Sequence, residues 1–336
     1  MSNVETRPKL SVVIPSYNGR ALLERCLASV KTHRPPDLAI EVIVADDAST
    51  DDTARWLGPT HPDVWLVRSR VNGGFARAAN MGIAAARGEI IQLLNNDTEV
   101  TAGWAEAGLA PFRNPYVGSV APLVLVMSDP GRVDSAGDRY GWAGWPCKRG
   151  HGDPASRWAD REPETVFGAS ASSAFYRAEA LRRAGAFDPS FGSYYEDIDL
   201  AFRLRWAGFG CVFAPKSRIL HAISASYDHG SDALQRRMAR NAELVFWSNL
   251  PTARLAASFW PHAAFTVMQG LVRAARGRFG PFWAGKRDAW AMRGELFARR
   301  RTRIDLAATS PTRRPHFPVG GGGLSDVRRH LARPRS

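Results

Sequence analysis

Four clusters of acids, amides and hydroxyls in this sequence could do chemistry: Ser16-Tyr17-Asn18, Asp46-Asp47, Asn95-Asn96-Asp97 and Glu196-Asp197-Ile198-Asp199. Carboxylates can hold a divalent cation or take a proton from a hydroxyl, while amides and hydroxyls can orient a polar ligand. Any one cluster is equally an ordinary turn, because Asn, Asp and Ser form turns for local reasons. The three acids at 196–199 repel one another unless cations sit nearby, although at a helix start the dipole offsets part of that cost.

The surrounding elements decide whether such clusters meet. Residues 9–14, 40–45, 63–67 and 89–94 read as strands. Between them, Leu22, Leu23, Cys26, Leu27 and Val30 make one apolar helix face, Ser49-Thr50-Asp51-Asp52 has the residue types of a helix start, and 75–86 is an Ala-rich helix. This βα alternation predicts an α/β fold with an open, mostly parallel, Rossmann-like sheet. In such sheets ligands bind beyond the carboxyl ends of the strands, where three of the clusters fall. Neither G-x-G-x-x-G nor G-x-x-x-x-G-K-[ST] follows the first strand, which argues against a dehydrogenase and a P-loop enzyme. Gly168-Ala169-Ser170-Ala171-Ser172 begins like a nucleophile elbow but ends in Ser, so it reads as a close-packed turn. Residues 129–165, rich in Gly, Trp, Arg and Asp without period, read as a long loop region or a cover over the site. A helix is expected at 197–206.

The motifs Val13-Ile14-Pro15-Ser16-Tyr17-Asn18, Ala45-Asp46-Asp47-Ala48-Ser49-Thr50-Asp51, Asn72-Gly73-Gly74-Phe75 with Asn80 and Gly82, Gly88-Glu89-Ile90-Ile91 and Leu94-Asn95-Asn96-Asp97 occur in that order. Gly185-Ala186-Phe187-Asp188, Tyr195-Glu196-Asp197-Ile198-Asp199-Leu200 with Arg203 and Gly208, and His221 follow. Together they resemble glycosyltransferase family 2, with its GT-A fold, over residues 9 to about 250. The Asn-Gly-Gly-Phe and Tyr-Glu-Asp-Ile-Asp-Leu forms look most like the rhamnosyltransferase branch.

The resemblance implies an inverting, metal-dependent transfer from a nucleotide sugar. Mg²⁺ or Mn²⁺ would neutralise the departing diphosphate. Its carboxylate is carried onto Asp97, with His221 as a further ligand and His229 as a weaker candidate; Asn95, where the family has Asp, offers only a neutral amide. Asp47 is expected at the nucleobase, Pro15 and Tyr17 around it, Arg77 at the diphosphate, and Gly74, Asn80, Asn95 and Asn96 elsewhere along the nucleotide sugar. Asp197 takes the role of general base, with Glu196 beside it. The donor is a UDP-, dTDP- or GDP-sugar, with rhamnose suggested by the branch, and the acceptor a glycan or lipid-linked glycan of cell-surface polysaccharide synthesis. Asn95 also motivates an alternative, a non-catalytic sugar-nucleotide or assembly module.

Charge is unevenly placed. Of the net +13, residues 231–336 carry +14 and residues 1–230 carry −1. A basic tail on a near-neutral body suggests an anionic partner, and without a nucleic-acid recognition motif the phospholipid surface is preferred. Residues 255–272 lack Asp, Glu, Lys and Arg but contain Pro261, His262 and Gln269, so an amphipathic interfacial helix is expected rather than a span. A helical extension packed on the catalytic domain, or in a homodimer, is the competing reading. The start of the chain has no apolar run after basic residues, predicting a cytoplasmic protein peripheral on the inner membrane face. Cys26, Cys147 and Cys211, far apart and without paired spacing, read as ordinary buried thiols of a reducing compartment. The expected divisions are a tail at 1–8, a catalytic domain at 9–250 split near 100, a membrane-associating helical extension at 251–306 and a disordered basic tail at 307–336.

Overall fold

The computed structural model describes residues 8–223 and 231–310. The alternation read from the first hundred residues is present as β1 (Leu10–Ser16), α1 (Arg20–His33), β2 (Ile40–Asp46), α2 (Thr53–Thr60), β3 (Val64–Arg68), α3 (Phe75–Ala85) and β4 (Ile90–Leu93). β1 lies parallel to β2 and β4, and β2 to β3. β1, β2 and β4 are buried along their whole length, the condition under which near-continuous apolar runs are stable in a parallel sheet. The chain builds outward from β1 through β2 to β3 and then returns to the other side of β1. That reversal opens the ligand crevice of such sheets at the carboxyl ends of β1 and β4.

The rest of the sheet is mixed. Next come β5 (Thr98–Val100), α4 (Trp104–Leu109), β6 (Val117–Val126), β7 (Asp129–Ser135), β8 (Asp138–Tyr140), β9 (Pro146–Lys148), α5 (Ser156–Ala159) and β10 (Glu164–Val166). Then follow β11 (Phe175–Arg177), α6 (Ala178–Ala184), α7 (Glu196–Trp206) and β12 (Gly210–His221). β11 inserts antiparallel between β4 and β6, and β12 runs parallel to β6. Residues 129–165 are therefore not a loop: β7 pairs with β6, β8 with β9, and β10 with β12. β8, β9 and β10 have three residues each, and β7, Asp-Pro-Gly-Arg-Val-Asp-Ser, has too few apolar residues for a period to register.

The C-terminal helices are α8 (Asp232–Asn249), capped by the Ser231 hydroxyl, α9 (Thr252–Ala275), α10 (Phe279–Ala291) and α11 (Arg293–Ala308). These helices pack on the preceding part of the chain: Leu244 and Phe246 of α8, Ala289 of α10 and Leu296 of α11 share one buried cluster with Ile198 and Phe202 of α7. Helices α8 and α10 cross closely at Gly285, where a Cβ would collide with the Arg236 carbonyl. Part of the tail's positive charge is spent inside this packing, in Arg303–Asp199, Lys286–Glu243 and Arg299–Asp188 pairs. α11 continues past residue 307; the remainder of the expected disordered tail from 311, residues 1–7 and His229 lie outside the described residues. Among the described residues no helix is long and apolar enough to cross a membrane. All three cysteines are free, with Cys26 and Cys211 buried and Cys147 half-buried.

Candidate active site

Three strand-end loops are stitched together at the crevice. The Asn18 side-chain oxygen (φ 46° at that residue) accepts from the amides of Thr50 at 2.7 Å and Asp51 at 3.3 Å, lacing the loop after β1 to that after β2. Asn96 Nδ2 donates to Ser16 Oγ at 3.2 Å, joining the loop after β4 to the end of β1. The approach needs glycine at 19, where a Cβ would lie 2.5 Å from that nitrogen. Tyr17 is 48% exposed beside these loops, while Pro15 is buried within β1, level with Ala45.

The Asp47 carboxylate accepts from the amides of Gly73 (2.9 Å) and Gly74 (2.7 Å), fixing the turn that leads into α3. Gly74 has φ +80°, a conformation glycine adopts without strain. Arg77 is exposed and its side chain folds over Gly73. Asn80 lies on α3 where that helix meets the 185–188 turn. Its amide is committed at both ends to the Phe187 backbone, donating to the carbonyl at 2.7 Å and accepting from the N–H at 2.9 Å, so it braces α3 against the 185–188 turn.

Antiparallel pairing of β5 with the end of β12 aligns His221 with Thr98 and so brings the imidazole to Asp97. Nε2 lies 3.4 Å from Asp97 Oδ1, too long for a good hydrogen bond, and that buried oxygen has no other donor among the described residues. Asn95 Oδ1 is buried without a donor as well. An orphaned carboxylate oxygen 3.4 Å from an imidazole nitrogen suits a hard cation, since two ligands about 2.1 Å from one ion at right angles stand about 3 Å apart. The donor set is small: no group of three or more His, Cys, Asp or Glu side chains among the described residues could hold a metal ion.

The opposite ring nitrogen, Nδ1, faces Asp134 Oδ2 at 3.0 Å. Asp134 in turn accepts from Lys148 Nζ at 2.8 and 2.9 Å, and its backbone carbonyl meets His151 Nδ1 at 2.9 Å. Burial alone would raise the Asp134 pKa, but Lys148, His151 and His221 hold it well below the usual carboxylate range. Burial would likewise lower that of His221, yet the hydrogen bond to Asp134 and the nearby charges of Asp97 and Asp134 lift it to about 9. Sequence reading missed Asp134, Lys148 and His151. Nothing local marks them, since an Asp among Arg and Gly looks solvated and its partners are 14, 17 and 87 residues away.

Glu196 and Asp197 open α7 immediately after Tyr194 and Tyr195, which adopt left-handed φ of 70° and 72°. Such backbone costs energy for bulky residues and persists only where its surroundings hold it. Here Asn241 of α8 holds it, its Nδ2 donating to the carbonyls of Phe191 (3.0 Å), Ser193 (3.2 Å) and Tyr194 (2.7 Å). Asp197 is half-buried and accepts from the amides of Ile198 at 2.8 Å and Ala171 at 3.3 Å. Burial raises its pKa against those two hydrogen bonds. Glu196 is more enclosed, with Oε2 lacking a donor, and burial and Asp197 push its pKa well up. A third acid unremarked in the sequence, Asp138 on β8, is buried and raised to about 8 by burial and by the charge of Asp197.

One turn joins the two halves of the site. The Ala171 N–H meets Asp197, and the carbonyl of the next residue, Ser172, accepts from the Asn95 N–H at 2.8 Å. The segment that imitates a nucleophile elbow thus sets the Asp197 carboxylate beside the loop carrying Asn95 and Asp97.

Comparison with known proteins agrees with this geometry. A family model described as Glycosyl transferase family 2 matches residues 11–185. The chain is 31% identical over 238 residues to N-acetylglucosaminyl-diphospho-decaprenol L-rhamnosyltransferase of Mycobacterium tuberculosis, covering 63% of this chain and 75% of that one. It is 28% identical over 254 residues to the uncharacterized protein y4gI of Sinorhizobium fredii, covering 72% of this chain but only 27% of that much longer protein. Among solved structures, the mannosyltransferase PcManGT from Pyrobaculum calidifontis, in complex with GDP-Man and Mn2+, has the same fold with a TM-score of 0.55. Its identity is 23%, with 90% of this chain and 85% of that chain covered.

Proposed function

Because the chain belongs to glycosyl transferase family 2, we propose that it moves a sugar from a nucleoside diphosphate to a hydroxyl of a glycan or lipid-linked acceptor in cell-surface polysaccharide synthesis, inverting the anomeric carbon. What supports this most is the turn at Ala171-Ser172, which ties Asp197 and the Asn95–Asp97 loop to adjacent residues.

In this reading Asp197 takes the acceptor's hydroxyl proton as the oxygen attacks. Its raised proton affinity suits a general base, and a single carboxylate in that role implies direct displacement. Tyr17, with Pro15, and the Asp47-fixed turn at Gly74 bracket the nucleoside, Arg77 reaches the diphosphate, and Asn95 and Asn96 contact ribose or phosphate. Asp97 and His221 would hold Mg²⁺ or Mn²⁺, which supplies charge neutralisation on the leaving diphosphate. Asp134, hydrogen-bonded to the far side of the imidazole, orients His221. The M. tuberculosis relative, by its name, favours L-rhamnose as the sugar and a lipid-linked acceptor, and the P. calidifontis structure favours a nucleotide donor with Mn²⁺. A lipid-linked acceptor places the protein peripherally on the inner membrane face.

The neutral Asn95 and the two-residue donor set favour a second reading, a sugar-nucleotide-binding module without efficient transfer. UDP-, dTDP- and GDP-sugars with Mn²⁺ or Mg²⁺ in a thermal-shift assay, followed by turnover of any donor that binds, separate the two. A stabilising donor that is turned over supports transfer, binding without turnover supports the module, and no shift from any donor sinks both.

A further inference from the structure

Within α9 the residues left uncovered are not those of a surface helix in water. Trp260, Val267 and Leu271 are 77%, 63% and 67% exposed, and at spacings of seven and four they fall on one face, with the exposed Ala264 and Ala274 continuing the stripe. The stripe passes onto α10. Phe279 sits against Gly270, the neighbour of Leu271, and its ring stacks on Trp283 at a centroid distance of 6.1 Å. Residues 244–287 contain no Asp or Glu, while the exposed Arg276 and Arg278 end α9 and the exposed Arg287 lies one turn beyond Trp283.

We propose that this face of α9 and α10 binds an anionic phospholipid surface, the apolar stripe entering the headgroup boundary and the arginines meeting lipid phosphates. Charge selects this occupant over a second copy of the chain. Two such faces brought together would oppose Arg278 and Arg287 of one copy to those of the other, and the one acid on these two helices, Asp288, is already paired with Arg236, whereas a lipid surface supplies the opposite sign over its whole area. Interfacial helices combine these features: an aromatic and aliphatic face, flanking arginine, and too little apolar length to span. The inference rests on the proposed lipid-linked acceptor for its purpose but not for its geometry.

The test uses the full-length protein and sedimentation with phosphatidylcholine vesicles, with and without phosphatidylglycerol. Wild type is expected to bind the anionic vesicles, less so as salt rises. The triple variant Trp260→Glu, Val267→Glu, Leu271→Glu should bind at least about tenfold more weakly while keeping its melting temperature and its donor-induced thermal shift. Arg278→Glu with Arg287→Glu should weaken binding to anionic vesicles by a comparable factor. Unchanged binding by the triple variant overturns the proposal, as does a wild type that ignores anionic vesicles, or one that sediments as a dimer which the triple variant converts to monomer without any vesicle binding. Loss of donor turnover with vesicle binding intact would sink the transferase reading and leave this one standing.

Discussion

Arg303 Nη2 lies 3.0 Å from Asp199 Oδ1, joining the last described helix to the acid two residues beyond Asp197. Both side chains are buried, Arg203 Nε binds the second Asp199 oxygen at 2.7 Å, and Asn249 bridges the pair by donating to Asp199 at 2.8 Å and accepting from Arg303 at 2.9 Å. Arg303→Met leaves Asp199 paired with Arg203 but strips a charged donor from Asp199 Oδ1 and from the Asn249 side-chain oxygen. It should cost about 2–3 kcal/mol in urea unfolding, more than an exposed Arg301→Met control.

The same network makes stability depend on pH. Burial opposes ionisation of Asp199, yet the charges of Arg203 and Arg303 bring its pKa down to about 2; Glu243, buried against His262 and Lys286, is likewise lowered to about 2. Both folded values lie below the unfolded ones, so the stabilisation is fully present above the unfolded carboxylate pKa of about 4 and is lost as pH falls toward 2. Each acid should contribute about 2–3 kcal/mol that disappears across that window. Urea midpoints at pH 6, 4 and 3 should fall in sequence for wild type, and Asp199→Asn should flatten the dependence.

Asp197→Asn separates catalysis from stability. The amide cannot take a proton, so kcat should drop about 10²- to 10⁴-fold with little change in the donor's thermal shift. Because the folded carboxylate has a raised pKa, its ionised form opposes folding near neutral pH, and the variant's melting temperature should equal or exceed wild type's. A kcat near wild type would move the base to another residue.

For the metal set, Asp97→Ala and His221→Ala should each abolish most of the thermal shift produced by Mn²⁺ alone. Asp134→Asn keeps shape but weakens orientation of the imidazole, and should raise the Mn²⁺ dissociation constant about 10- to 100-fold by calorimetry. Equal Mn²⁺ affinity in all three variants would place the ion elsewhere.

Asn241→Ala uncovers three backbone carbonyls at the left-handed Tyr194-Tyr195 turn. A loss of about 1–3 kcal/mol is expected, together with a kcat defect that persists at temperatures where the variant is fully folded. An unchanged kcat in the folded variant would make the contact structural only.

The sequence by itself determined the parallel half of the sheet and the strand ends that carry Asp47 and Asp97, because apolar period and turn chemistry are local and the motifs lie in short contiguous runs. It also marked Glu196 and Asp197 as a crowded helix start. Tertiary structure alone decided the rest. His221 reaches Asp97 only through the pairing of β5 with β12, and Asp134, Lys148 and His151 become neighbours only once strands too short to show a period have paired. Asn80, which looks like a ligand contact beside its glycines, is taken up by Phe187, more than a hundred residues away. The C-terminal arginines read in sequence as one basic tail suited to an anionic partner, yet Arg303 is buried on Asp199 while Arg278 is exposed. Composition sets how much charge a segment carries; the packing of α11 on α7 decides which of it water ever meets.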